Sequence, residues 1–159
     1  MSEATVSLKH KNLDQLIKAL KGNLPKASIG VLGDKNQRSG NGKLSNAEVG
    51  LIHEFGVFTK GKHIPQRSFL RVPLQENLSE KLEESGAFDK ETLKKVVKEG
   101  TIFQWVQKVA VVAESVVAEA FATGGYGKWM PWAPGYTNNT SMILVDTTQL
   151  RESIGSVVE

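Results

Sequence analysis

Cysteine is absent from the chain, so no disulfide can staple the fold and no thiolate can act as a nucleophile or metal ligand. Histidine is scarce: His10, His53 and His63 are all there is. A zinc site takes three or four N, S or O ligands, usually with two close in sequence. His53 and Glu54 are neighbours and would point about 100° apart on a helix, and no His-Glu-x-x-His pattern occurs. His53 is therefore read as a packed or hydrogen-bonded residue and not as a ligand. Long apolar runs are also missing. The most apolar stretch, residues 109–122, is interrupted by Glu114 and Glu119 and falls short of the roughly 20 residues that a membrane span needs. The start of the chain, Met1-Ser-Glu-Ala-Thr-Val6, lacks a basic segment followed by an apolar one, so no signal peptide is expected.

The motifs of common chemistries are missing in the same way. No Gly-x-Ser-x-Gly elbow is present, and Ser39-Gly-Asn-Gly42 lies in a polar loop with no strand feeding it. Gly124-Gly-Tyr-Gly127-Lys128 has the glycines of a phosphate loop, but it follows a helix and leads into Trp129. Glu83-Glu84 and the Asp89/Glu91 pair sit at helix ends, where they serve solvation, capping and the helix dipole. No catalytic residue, metal or cofactor is expected, and enzyme is the weaker class.

What the chain does have is the composition of a globular protein, 40% hydrophobic and 23% charged over 159 residues. That length points to one domain, residues 1–159, with one core. Its formal charge of +3 and pI of about 9.1 are too weakly basic to identify a nucleic-acid binder. A nucleic-acid module using Lys35, Arg38, Lys43, Lys60 and Lys62 is kept as an alternative. Residues 34–43 read better as a solvated, mobile loop, since no aromatic residue is interleaved for stacking.

Alternation at Val6 and Leu8 predicts a short strand. Asn12 with Gln15 then opens a helix carrying Leu13, Leu16, Ile17 and Leu20. Gly22 stops that helix, Pro25 bars its continuation, and residues 27–33 read as a strand. Ser45 and Glu48 form a capping box that opens a helix through Ile52 and Phe55 to Gly56. Residues 57–63 read as a loop, and residues 64–71 as extended or turn-like. Pro73 suits the first position of a helix with a Leu74, Leu78, Leu82 seam.

Asp89 is placed as the cap of the longest helix, which runs to Phe121, with Gly100 a kink or break and Gly124-Gly125 its end. That helix has apolar residues on two adjacent sides, with Val109 shared between them. One side fits a sheet, and the other calls for a second helix or a second subunit. Residues 124–141 form a loop rich in aromatics. Asp146, with Gln149 completing the box, caps a short helix, and residues 154–158 close the chain as a strand. The pattern predicts an α+β fold: a small, mostly antiparallel or mixed sheet with one long helix and shorter helices on one face.

The aromatic loop holds Trp129-Met-Pro-Trp132-Ala-Pro134. Rigid rings on a loop need a cover, supplied either by the fold or by a partner. Both readings stay open for Trp129 and Trp132. Arg67 and Arg71 also carry two readings: a charge facing a neighbouring subunit or DNA, or arginines fixing a loop by hydrogen bonds to carbonyls. The second is preferred.

Three blocks occur in fixed order: His53-Glu54-Phe55-Gly56, Ile64-Pro65-Gln66-Arg67-Ser68-Phe69-Leu70-Arg71, and, after the tryptophan segment, Leu144-Val145-Asp146-Thr147-Thr148-Gln149-Leu150-Arg151-Glu152-Ser153-Ile154. In these the chain resembles the virion morphogenesis proteins of tailed bacteriophages, also called tail completion or neck proteins. The family's usual proline before the phenylalanine is Ser68 here, and its usual glycine after Asp-Thr is Thr148, which bears on the turn at that point.

The resemblance implies a non-catalytic α+β subunit that assembles into a ring, commonly a hexamer, where the tail meets the head connector. The implied partners are sister copies, the head–tail connector, and tail terminator or tail tube proteins, with DNA passing through the channel. The implied location is the virion neck, reached from the host cytoplasm during assembly, with no membrane involved. A tail terminator of the same region is the related alternative. Phe58, Arg67, Phe69 and Arg71 are assigned to subunit or partner contacts, as are Tyr126, Trp129, Trp132 and Tyr136. His53, Glu54, Phe55, Gly56, Asp146 and Leu150 are assigned to the fold-defining motifs.

Overall fold

The computed structural model describes residue 22 and residues 24–39, 44–135, 142–144 and 148–159. The strand expected around Val6 and Leu8, the helix opened by Asn12, and His10, Lys43, Tyr136 and Asp146 lie outside the described residues. The fold is α+β. β1 (Ala27–Val31) pairs antiparallel with β4 (Ile154–Val158), from Ala27 opposite Val158 to Val31 opposite Ile154. Just beyond the pairing, Lys26 and Glu159 exchange backbone hydrogen bonds of 2.7 and 2.9 Å. Alternation turns Ile29, Val31 and Ile154 onto the core.

Against this ribbon lies α4 (Ile102–Thr123), and against α4 lies α2 (Arg71–Glu84). The long helix thus lies between the ribbon and a helix of its own chain, with Ile102, Trp105, Val109 and Val112 of its second side half-buried. Ala110, Ala113, Val116, Val117, Ala120 and Phe121 form its buried line. Val109, at the junction of the two sides, is half-buried. The centre of the core is Phe69, Val117, Phe121, Trp129, Leu144 and Leu150.

Several elements differ from the sequence reading. The long helix does not begin at Asp89. Gly100 adopts the left-handed conformation (φ 69°) and ends α3 (Lys90–Glu99), so α4 starts afresh after Thr101. A glycine there is a helix stop and not a kink. Asp89 offers its backbone carbonyl to Leu93 N–H, and its side chain makes no cap. α2 starts two residues before Pro73, which still falls in the first turn, where a missing N–H is harmless.

Residues 57–63 are not a loop. β2 (Val57–Thr59) and β3 (Lys62–Ile64) pair antiparallel. Their two-residue turn has Lys60 at φ 43° and Gly61 at φ 77°, the primed geometry whose twist suits a hairpin. Of the segment 34–43, the described residues 34–39 are not a free tip either. Gly33–Asn36 is a 3₁₀ turn. Asn46, at the start of α1 (Asn46–Phe55), donates to the carbonyls of Lys35 and Gln37 and accepts from Arg38 Nη1, while Asn36 accepts from Ala47 N–H. The Ser45/Glu48 capping box is present as expected.

Gln149, in α5 (Gln149–Glu152), is tied to the backbone of Ser39; its expected partner in a capping box, Asp146, lies outside the described residues. The residue before α5, Thr148, sits in the left-handed region (φ 57°). That conformation costs a β-branched residue about 1–2 kcal/mol, against about 0.5–1 kcal/mol for the added freedom of an unfolded glycine. Thr148→Gly is therefore expected to raise the melting temperature by a few degrees. A lowered value would mean that the threonine side chain makes a contact worth more than the strain.

Candidate functional site

The first two motif blocks meet at the end of α1. Its last carbonyls need partners, and the extended segment after β3 supplies them: Arg67 N–H donates to His53 O (2.7 Å) and Gln66 Nε2 to Glu54 O (3.0 Å). The close approach runs through Gly56, which stands at φ 70°. A Cβ there would lie 2.9 Å from Gln66 N and 3.0 Å from Ile64 O. Gly56→Ala combines a disfavoured φ with a backbone clash and is expected to cost at least about 1–3 kcal/mol, seen as a lower denaturation midpoint with an unchanged m-value.

Glu54 is 7% exposed, and its side chain caps a helix that is not its own. Its carboxylate accepts from Ser68 Oγ (2.5 Å) and from the backbone N–H groups of Phe69, Leu70 and Arg71 (3.1 Å each). Those amides lie at the start of α2, where the dipole favours an anion. Arg71 Nε adds a charge at 3.9 Å. Four donors fill the acceptor sites of one carboxylate, so the Glu54 side chain serves as the cap of α2. Ser68 Oγ also accepts from Val72 N–H, a bond that a proline at this position could not make.

Phe69 follows into the core, against Phe121 (5.2 Å between ring centres). It also lies over Gly50, whose imagined Cβ would be 3.3 Å from the Phe69 ring and 3.5 Å from Leu150 Cδ1. Leu150 comes from the third block, so all three blocks converge on one packed centre.

The tryptophan loop is bound to the same centre. Trp129 is 8% exposed, donates from Nε1 to Ser68 O (2.9 Å) and sets its ring edge-on to Phe121. Its indole covers Gly125, where a Cβ would penetrate the ring. Arg67 is 4% exposed and donates to the carbonyls of Met130 (2.9 Å) and Pro131 (3.0 Å), with its guanidinium 5.0 Å from the Trp132 ring centre. It is the loop-fixing arginine, and the loop it fixes is the tryptophan loop. Tyr126 Oη bonds Val116 O and Glu119 Oε2. Burial first, then the Glu119 charge, pushes its phenol up to about 12.

Of the residues assigned to partner contacts, Phe69, Trp129 and Arg67 are therefore interior, and Tyr126 and Trp132 are half-buried. Arg71 and Phe58 remain at the surface. Arg71 lies over the Phe55 ring (5.8 Å), and Phe58, 81% exposed, stacks flat on His63 (4.1 Å, 14°). Leu51 and Phe55, 62% and 58% exposed, share a face of α1 four residues apart and lead into Phe58. Sequence reasoning missed Leu51, because the helical spacing 47-51-55 reads as a core stripe until the other face of α1 is seen to hold Gly50 and Glu54.

His53 is buried enough, and close enough to the charges of Arg67 and Arg38, that its imidazole is held down to about 4; its Nδ1 has no hydrogen-bond partner among the described residues. The fold thus prefers neutral His53, whereas the unfolded chain protonates it near 6.5. Stability from this group is complete above about pH 6.5 and is lost as pH falls toward 4. His53→Gln is expected to flatten the decline in melting temperature across that window, and an unchanged decline would contradict the burial.

Among the described residues, the basic side chains expected to act together are split between the two ends of α1. Lys35 and Arg38 lie by the start of α1, and Lys60 and Lys62 follow its end, a helix length of about 15 Å away. Among the described residues no cluster of His, Asp or Glu could hold a metal, and no helix is long and apolar enough to cross a membrane. Comparison with protein-family models, with curated proteins and with solved structures finds no match.

Proposed function

We propose that the chain is a structural subunit of a tailed-bacteriophage neck, assembling with sister copies into a ring, of six copies on the family pattern, that completes the tail and joins it to the head. The observation that carries this reading is the convergence of the three motif blocks. Residues far apart in sequence, Glu54, Ser68-Phe69 and Leu150, form one interlocked unit. A sequence resemblance confined to such residues is what a shared scaffold would leave.

The surface supports assembly. Leu51, Phe55 and Phe58 form an uncovered apolar run, of the kind that marks a protein–protein contact. A net charge of only +3 suits a ring through which DNA must slide without being held. The sister copies, the connector and the tail components are the proposed partners, and the virion neck the proposed location.

The test is association. The folded, tagged protein is mixed with phage particles or tail fractions from cells that carry its gene, then sedimented. Co-sedimentation that survives moderate salt supports the reading. A folded protein that stays entirely in the supernatant overturns it.

A further inference from the structure

The chain's positive charge is gathered in one place. Of its 20 lysines and arginines, four lie in residues 55–75, where there is no aspartate or glutamate; the remaining 16 face all 17 acidic residues. Arg67 is interior, so Lys60, Lys62 and Arg71 bring that charge to the surface. Arg71 leans on the Phe55 ring and the Glu54 carboxylate. Lys60 and Lys62 make no ion pair among the described residues, unlike Lys81, Lys94 and Lys128, each of which is held by a glutamate.

These two lysines frame an exposed ring. The β2–β3 hairpin sets Phe58 opposite His63 and Thr59 opposite Lys62, with Lys60 and Gly61 as its turn. One face of Phe58 stacks on His63 (4.1 Å, 14°), and at 81% exposure the other face is open to solvent. Residues 34–43 have cations without an aromatic among them; residues 57–63 have both. Phe58 thus marks the end of the apolar run of α1, where the surface turns cationic.

A cationic surface without carboxylates calls for a polyanion, and the ring decides which. Membrane docking buries apolar side chains at the headgroup boundary, but the tip here, Thr59-Lys60-Gly61-Lys62, has none. An acidic protein would bring carboxylates against the face of a ring that is itself electron-rich. A nucleotide brings both groups that fit: a phosphate for the ammonium groups and a flat base for the open face of Phe58. In a duplex each base is covered by its neighbours, so a single strand is the form that offers both.

We infer that the β2–β3 hairpin is a contact site for single-stranded nucleic acid, with a base stacked on Phe58 and the adjoining phosphates held by Lys60 and Lys62. The site reads no sequence, since every base has a flat face and the lysines touch only the backbone. The inference stands on the hairpin and not on the neck reading.

The test is fluorescence anisotropy at low salt, with a labelled oligothymidine and with a duplex of the same length. The parent should bind the single strand more tightly, with log K falling against log salt at a slope of about −1.4 for two phosphates neutralised. Lys60→Gln with Lys62→Gln should bring that slope close to zero. Lys90→Gln with Lys98→Gln, which removes the same charge from exposed positions of α3, should leave it unchanged. Phe58→Leu keeps an apolar side chain but not a flat one and should weaken binding about fivefold or more, whereas Phe58→Trp should keep the parent's affinity. All these positions are exposed, so melting temperatures should match the parent's.

No binding by the parent, a duplex bound as tightly as the single strand, or full affinity in Phe58→Leu overturns the inference. So does displacement by polyglutamate as readily as by unlabelled oligothymidine, or sedimentation with anionic vesicles in place of DNA binding. Particle association is judged separately, so either reading can fail alone.

Discussion

Replacing Glu54 by alanine is expected to cost about 3–5 kcal/mol, the penalty for breaking a buried charged network from one side. For a chain of this size that is a fall of about 6–20 °C in melting temperature, at about 2–4 °C per kcal/mol. The loss comes from what is left behind. The N–H groups of Phe69, Leu70 and Arg71 and the Ser68 hydroxyl all point at the carboxylate, and without it these donors, buried or part-buried, are left unsatisfied. Glu54→Gln keeps the volume and one acceptor oxygen, so its deficit should be about half as large. Glu83→Ala, at an exposed position, should stay within about 0.5 kcal/mol of the parent. Thermal melts followed by circular dichroism decide it. An alanine variant melting within a degree or two of the parent would remove the carboxylate from the centre of the fold.

Trp129→Ala is expected to be of similar size, about 3–5 kcal/mol, as for other large aromatic truncations in cores. The indole is 8% exposed, packs on Phe121, covers Gly125 and bonds Ser68 O. Its removal empties a site that the surrounding helices cannot close, and it orphans a carbonyl. Trp132→Ala should cost only about 1–2 kcal/mol, since that ring is half-buried and lies under the Arg67 guanidinium. The two tryptophans are three residues apart and look alike in sequence, so the contrast is informative. Equal losses would mean that the loop is held as a unit and not through Trp129.

That contrast shows where sequence reasoning reaches its limit. Local signals were legible. The Ser45/Glu48 box, the stops at Gly56 and Gly124 and the closing strand all depend on residues within a few positions of each other. The hairpin at residues 57–64 was legible in principle from the β-forming Val57-Phe58-Thr59 and the glycine at its turn. Its strands of three residues are too short to show a period.

The role of Glu54 was not legible. A glutamate inside a helix normally points to water, and only the fold brings the start of another helix onto it. The same holds for Arg67, whose acceptors lie 63 and 64 residues away. Ser68 did carry a signal, a hydroxyl just ahead of a helix, which the start assigned to Pro73 concealed. The burial of α4 on two sides was visible as apolar girth, but whether α2 or a second subunit covers it is a tertiary fact.

The most direct measurement of the central claim is electron microscopy of particles released by cells carrying the gene, with the protein bearing a small tag labelled by gold. The account predicts label on intact particles, confined to the junction of head and tail, and tails left detached when the gene is removed. Intact, labelled-antibody-negative particles that form equally well without the gene would contradict it.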